Sequence, residues 1–95
     1  MTLLQAKSVD KGNEKHLPVV EKISKNKIRV KVGSVTHPML EDHWIQWIFI
    51  ENGDNYSIKT FNPGEEPVAE FYVDFEKSVK VYEFCNLHGL WLTEL

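Results

Sequence analysis

The side chains with the most chemistry to offer in this chain are its only cysteine and its four histidines. Cys85 and His88 enclose Asn86-Leu87, with Gly89 directly after. Cys-x-x-His is a metal-ligand spacing, because a short turn lets a thiolate and an imidazole converge on one ion. His37 and His43 stand six positions apart across Pro38, which restrains the backbone of the residue before it. A loop folding back between them would supply two more nitrogens. His16 lies just ahead of Leu17-Pro18, where a strand is expected to open. Each residue alone has a plainer reading: a loop histidine is usually a surface residue, and a lone buried cysteine is usually a small inert hydrophobe. A fold that brings three loops together would instead collect four imidazoles and one thiolate.

The rest of the sequence reads as the strands that would position those loops. Lys27-Ile28-Arg29-Val30-Lys31-Val32 alternates strictly, with the aliphatic residues on one face and the basic ones on the other. Leu17 to Ile23 is its expected partner, joined through Ser24-Lys25-Asn26, which has turn chemistry. His43 to Glu51 carries Trp and Ile on both faces, the pattern of a central strand covered on two sides. Asn52-Gly53-Asp54-Asn55 predicts a hairpin into Tyr56 to Phe61, and Asn62-Pro63-Gly64 a further turn. Val68 to Phe75 alternates, with Ala69, Phe71, Val73 and Phe75 facing one way. Val79 to Phe84 and Leu90 to Thr93 complete about seven strands. Short strands with turn signals every 8–12 residues predict an all-β, immunoglobulin-like antiparallel sandwich. With a single cysteine, the inter-sheet disulfide of antibody domains is excluded.

Size and composition bound the function. The 95 residues are expected to form one domain, 1–95, with 1–13 a lead-in. A formal charge of −3 argues against a nucleic-acid partner. The apolar run Ile48-Phe49-Ile50 is far short of the roughly 20 residues a membrane span needs. No basic stretch with an apolar core opens the chain, and one cysteine fits a reducing compartment, so a cytoplasmic location is expected.

From residues alone, several readings stay open. A structural zinc module would use the same donors, although zinc prefers four ligands in a tetrahedron. A nucleophilic enzyme would pair Cys85 with a neighbouring histidine. A metal-free immunoglobulin-like interaction domain would leave these residues without a shared role.

Three stretches favour one reading. Glu14-Lys15-His16-Leu17-Pro18-Val19-Val20 resembles the opening motif of superoxide reductases. Val32-Gly33-Ser34-Val35-Thr36-His37-Pro38-Met39, continuing through His43-Trp44-Ile45-Gln46-Trp47-Ile48, is similar to their second motif. Tyr82-Glu83-Phe84-Cys85-Asn86-Leu87-His88-Gly89-Leu90-Trp91 is similar to their third. The resemblance runs from about Leu3 to Trp91, in order, to the catalytic domain of desulfoferrodoxin and the one-iron, neelaredoxin-type enzymes.

That resemblance implies an immunoglobulin-like sandwich and a mononuclear non-haem iron cycling between ferrous and ferric states. Its equatorial ligands would be His16, His37, His43 and His88, and its axial ligand Cys85. Glu14 would close the sixth position after oxidation, and Lys15 would sit beside it. The implied reaction adds one electron and two protons to superoxide, giving hydrogen peroxide. A small electron donor such as rubredoxin and a homo-oligomeric state, dimer or tetramer, are also implied. Two-domain relatives carry a second iron on four cysteines; a chain with one cysteine is expected to hold one iron. A cation about 6 Å from an incoming anion, at an effective dielectric of roughly 20, is worth on the order of 2–3 kcal/mol. Screening over about 8 Å weakens the opposing global charge, so local attraction by Lys15 is expected to prevail. Trp44, Trp47 and Trp91 read as an aromatic wall around the site.

Overall fold

The computed structural model describes residues 17–32, 39–87 and 89–95. They form seven strands: β1 (Pro18–Ser24), β2 (Lys27–Val32), β3 (Ile45–Asn52), β4 (Asn55–Thr60), β5 (Val68–Tyr72), β6 (Val79–Cys85) and β7 (Gly89–Glu94). All pairings are antiparallel, in a three-stranded sheet ordered β1-β2-β5 and a four-stranded sheet ordered β4-β3-β6-β7. This is the expected β-sandwich, in which the chain crosses between sheets from β2 to β3, β4 to β5 and β5 to β6. No helix among the described residues is long and apolar enough to cross a membrane.

Alternation builds the core. Ile28, Val30 and Val32 of β2 are wholly buried, while Lys27, Arg29 and Lys31 line the outer face. Facing them are Ile48 and Ile50 of β3 and Val79, Val81 and Cys85 of β6. Phe71 and Val73 are buried and Ala69 and Phe75 pack against the cluster, as the period of two requires.

Two expectations need correction. The strand expected from His43 begins at Ile45; His43 belongs instead to a turn, held by an isolated bridge to Leu40. Nor is β3 covered on both faces among the described residues: Trp47 and Phe49 on its outer side are only half-buried. These rings are shielded mainly by one another. Trp47 stacks on Phe84 at 5.5 Å, and Phe49 packs against Tyr56 at 5.6 Å and Tyr82 at 6.1 Å. Aromatic pairing across a pleated face thus mimics, in sequence, the pattern of a doubly covered strand.

The two ends of the sandwich differ in what they carry. At one end lie the β1–β2 turn, the β3–β4 hairpin and the β5–β6 connection, linked by Val73 N–H donating to Asn26 C=O. Gly53 turns the hairpin with φ of 59°, where a Cβ would stand 2.6 Å from Lys77 Cδ. At the opposite end of the four-stranded sheet are the last residues of β4 and β6 and the first of β3 and β7. Cys85 and the turn bearing His43 belong to this second end.

Candidate metal centre

Cys85 is the last residue of β6, and the period of two turns its side chain inward after Val79, Val81 and Glu83. It is completely buried. Its Cα is paired with Ile45 on β3 and with Gly89 on β7, so β6 and β7 form a hairpin that turns at Asn86-Leu87. Gly89 closes that hairpin with φ of 85°, a conformation that disfavours any residue with a Cβ. The Cys-x-x-His-Gly spacing is therefore one β-hairpin turn.

His43 sits on the adjoining turn. Leu40 N–H donates to His43 C=O at 2.8 Å and His43 N–H returns a bond to Leu40 C=O at 3.1 Å. The turn is anchored on its flanks: Gly64 N–H donates to Met39 C=O at 2.7 Å, and Trp44 Nε1–H donates to Phe61 C=O at 3.2 Å. His43 is half-buried, with Nε2 shielded from solvent.

Asn86 joins the two turns. Its N–H donates to Trp44 C=O at 3.3 Å, its Oδ1 accepts from Trp44 N–H at 2.9 Å, and its Nδ2 donates to Asp42 C=O at 3.0 Å. The segment carrying His43 is thereby fastened to the residue next to Cys85. A buried thiol and a shielded imidazole nitrogen, on turns fastened together, are a donor set suited to a transition metal.

His16, His37 and His88, with Glu14 and Lys15, lie outside the described residues. Among the described residues, no group of three or more His, Cys, Asp and Glu comes together. Of the described neighbours of those histidines, Leu87 and Gly89 lie in the hairpin that follows Cys85. Of the three tryptophans, Trp91 is buried at 6% exposure, Trp44 is half-buried, and Trp47 lies on the outer face of β3 against Phe84.

Two residues escaped sequence reasoning. Asn86 was visible only as the spacer after Cys85, and its bonds depend on the pairing of β3 with β6. Glu83 is wholly buried on the inner face two positions before Cys85. Its signal was the alternation of Val79, Val81 and Cys85, which puts a carboxylate in a row of apolar residues. Such burial is costly unless the group is engaged, so a glutamate at that position marks a specialised region.

Comparison with known proteins agrees with this picture. The desulfoferrodoxin family model matches residues 8–94. The chain is 52% identical over 91 residues to a desulfoferrodoxin homolog of Methanothermobacter thermautotrophicus, covering 96% of this chain and 73% of that protein. The crystal structure of the superoxide reductase from Treponema pallidum aligns with a TM-score of 0.73 and 40% identity, over 84% of this chain and 64% of that one. This chain therefore spans less than two thirds of the Treponema protein. The superoxide reductase (1Fe-SOR) from Giardia intestinalis aligns with a TM-score of 0.76 and 35% identity, over 86% of this chain and 97% of that one. A family match over residues 8–94, on a sandwich that fastens Cys85 to the His43 turn, has one consequence: the chain belongs to the desulfoferrodoxin family.

Proposed function

We propose that this chain is a superoxide reductase, converting superoxide to hydrogen peroxide by one electron and two protons at a mononuclear non-haem iron. One observation carries the reading. In a chain of this family, the fully buried Cys85 thiol is fastened through Asn86 to the turn bearing His43. His16, His37, His43 and His88 would hold the iron through nitrogen and Cys85 through sulfur. Four imidazoles and one thiolate exceed the four-ligand tetrahedron of structural zinc and fit iron better. When bound, the iron supplies the one-electron redox chemistry.

The chain's own groups set the conditions. Burial of Cys85 keeps water from the sulfur and keeps its charge in a low-dielectric setting, where it acts strongly on a bound cation. Lys15 would attract the anionic substrate, and Glu14 would offer the oxidised iron a further oxygen ligand. A small carrier such as rubredoxin returns the electron; Leu40 and Leu87, each 61% exposed on the two fastened turns, offer an apolar approach for it. The stacked outer face of β3 and β6 supports a homo-oligomer, dimer or tetramer. Residues 1–95 act as one iron domain, in the cytoplasm.

Metal analysis of the purified chain, with absorption spectra in both redox states and a superoxide-consumption assay, tests this. One iron per chain, a thiolate-to-ferric charge-transfer band and peroxide formation without oxygen release are expected. A colourless protein with stoichiometric zinc would overturn it.

A further inference from the structure

We infer that Asn86 is a positioning residue for His43, holding its imidazole in register with the Cys85 sulfur. The inference rests on the iron reading above and deepens it. The Asp42 carbonyl belongs to the peptide plane entering His43, and the Trp44 N–H to the plane leaving it. Asn86 Nδ2 holds the first at 3.0 Å and Asn86 Oδ1 holds the second at 2.9 Å. The angle of each plane about the His43 Cα is what φ and ψ measure. One side-chain amide therefore fixes both dihedrals of His43, and with them the direction of its Cα–Cβ bond.

The other bonds close the frame. Asn86 N–H reaches Trp44 C=O at 3.3 Å, while Leu40 and His43 exchange two backbone bonds at 2.8 and 3.1 Å. Asn86 is covalently next to Cys85, whose Cα is paired with Ile45, two positions beyond His43. Any shift of the His43 turn against Cys85 must break bonds at Asn86.

The chemistry also explains why an amide stands here. The site needs an acceptor and a donor side by side in one plane, at the reach of a single methylene. Aspartate keeps the acceptor but sets a second oxygen against the Asp42 carbonyl. Glutamine carries an extra methylene, which displaces the amide from both partners while its backbone bond stays fixed. Ligand-orienting groups of this kind alter metal affinity roughly 10–100-fold when lost.

The test uses full-length, iron-loaded protein. Asn86→Asp, nearly the same shape, and Asn86→Ala are compared with the parent and with Asn52→Ala, which breaks an amide clamp at the far end. Iron retention against a ferrous chelator, the ferric charge-transfer band and far-UV circular dichroism are measured. Both Asn86 variants are expected to keep the parental dichroism, bind iron roughly 10–100-fold more weakly and shift the band. Asn52→Ala is expected to melt lower but retain parental affinity and band position. Parental affinity and band in both Asn86 variants would overturn the inference, as would an equal loss in Asn52→Ala or unfolding of both Asn86 variants. A parent chain without iron or band would overturn the iron reading, and this inference with it; a parental band with unaltered variants overturns this inference alone.

Discussion

Asn52 and Asn86 occupy opposite ends of the sandwich and commit their side-chain amides to backbone groups of a neighbouring loop. Asn52, the last residue of β3, accepts at Oδ1 from Asp74 N–H at 2.7 Å and donates through Nδ2 to Asp74 C=O at 3.0 Å and Ser78 C=O at 3.1 Å. It is 6% exposed, and the segment it holds, Asp74 to Ser78, contains no metal-binding histidine or cysteine. What it secures is the passage of the chain from one sheet to the other. Asn86 spends the same chemistry on the groups flanking His43, beside Cys85. An amide clamp is thus a general means of fixing a loop, and its consequence depends on what the loop carries. At the far end the consequence is stability; at the near end it is ligand direction.

Cys85→Ser breaks this contrast most severely. An oxygen in place of the sulfur removes the thiolate donor, so the charge-transfer band and nearly all reductase activity should vanish while far-UV dichroism persists. Absorption of the iron-reconstituted, oxidised protein checks it; retained colour and turnover would take the chemistry away from this end of the molecule. Asn52→Ala comes next. Asp74 N–H loses its acceptor in a largely buried place, while the Asp74 and Ser78 carbonyls each keep a backbone donor, Lys77 N–H and Gly53 N–H, for a destabilisation of about 1–3 kcal/mol. Denaturant unfolding of the loaded protein measures that loss. A free-energy change below about 0.5 kcal/mol would show that the far clamp contributes little, and the contrast between the ends would then have only one side.

Much of this arrangement is legible in the sequence where a period or a turn dominates. Strict alternation in Lys27–Val32 sets the bounds of β2, and Asn52-Gly53 marks a hairpin even though every residue of β4 is exposed. Reading fails where long-range register decides. The ladder between β3 and β6 shifts between Ile45 and Trp47, so the alternation of the Trp-rich segment cannot be extended back to His43. Past that irregularity β3 reaches only to Ile45, while 40–43 form a turn and Trp44 lies against Asn86. Glu83 fails for another reason: binary patterning assigns carboxylates outward, and only the inward direction of its neighbours overrules that. Of the candidate ligands, Cys85 and His43 fall within the described residues and share one end; His16, His37 and His88 are carried by sequence alone, as are Glu14 and Lys15.

Lys15→Ala probes whether the near end also guides substrate by charge. Its expected effect is smaller: superoxide association slows several-fold, and its ionic-strength dependence flattens, with iron content unchanged. Pulse-generated superoxide decay across a salt series measures it. A parental rate at every salt concentration would remove Lys15 from the mechanism and leave the near end distinguished by its ligands only.

The smallest effect is expected midway between the ends, on the outer face of the three-stranded sheet. Glu70 of β5 accepts from Arg29 Nε at 3.1 Å and Nη2 at 2.8 Å, and from Lys27 Nζ at 2.9 Å. The Arg29 hydrogen bonds first, then that of Lys27, hold the Glu70 carboxyl below its ordinary range, and Glu70 in turn holds both cations above theirs. The sign follows from which form is favoured. A depressed carboxyl contributes stability that is present above its unfolded value, about 4.3, and fades as pH falls through the lower folded value. The raised cations contribute below their unfolded values and lose that only in alkali. All three groups are exposed to solvent, so screening keeps the contribution small. Glu70→Gln should therefore melt slightly below the parent at neutral pH, with the gap narrowing below about pH 4 and in high salt. Thermal melts across pH 2–8 at two salt concentrations decide it. A gap that persists in acid would assign the difference to something other than charge. A shifted iron band in this variant would mean that the mid-sheet and the metal end are coupled, and the two ends could no longer be treated as independent.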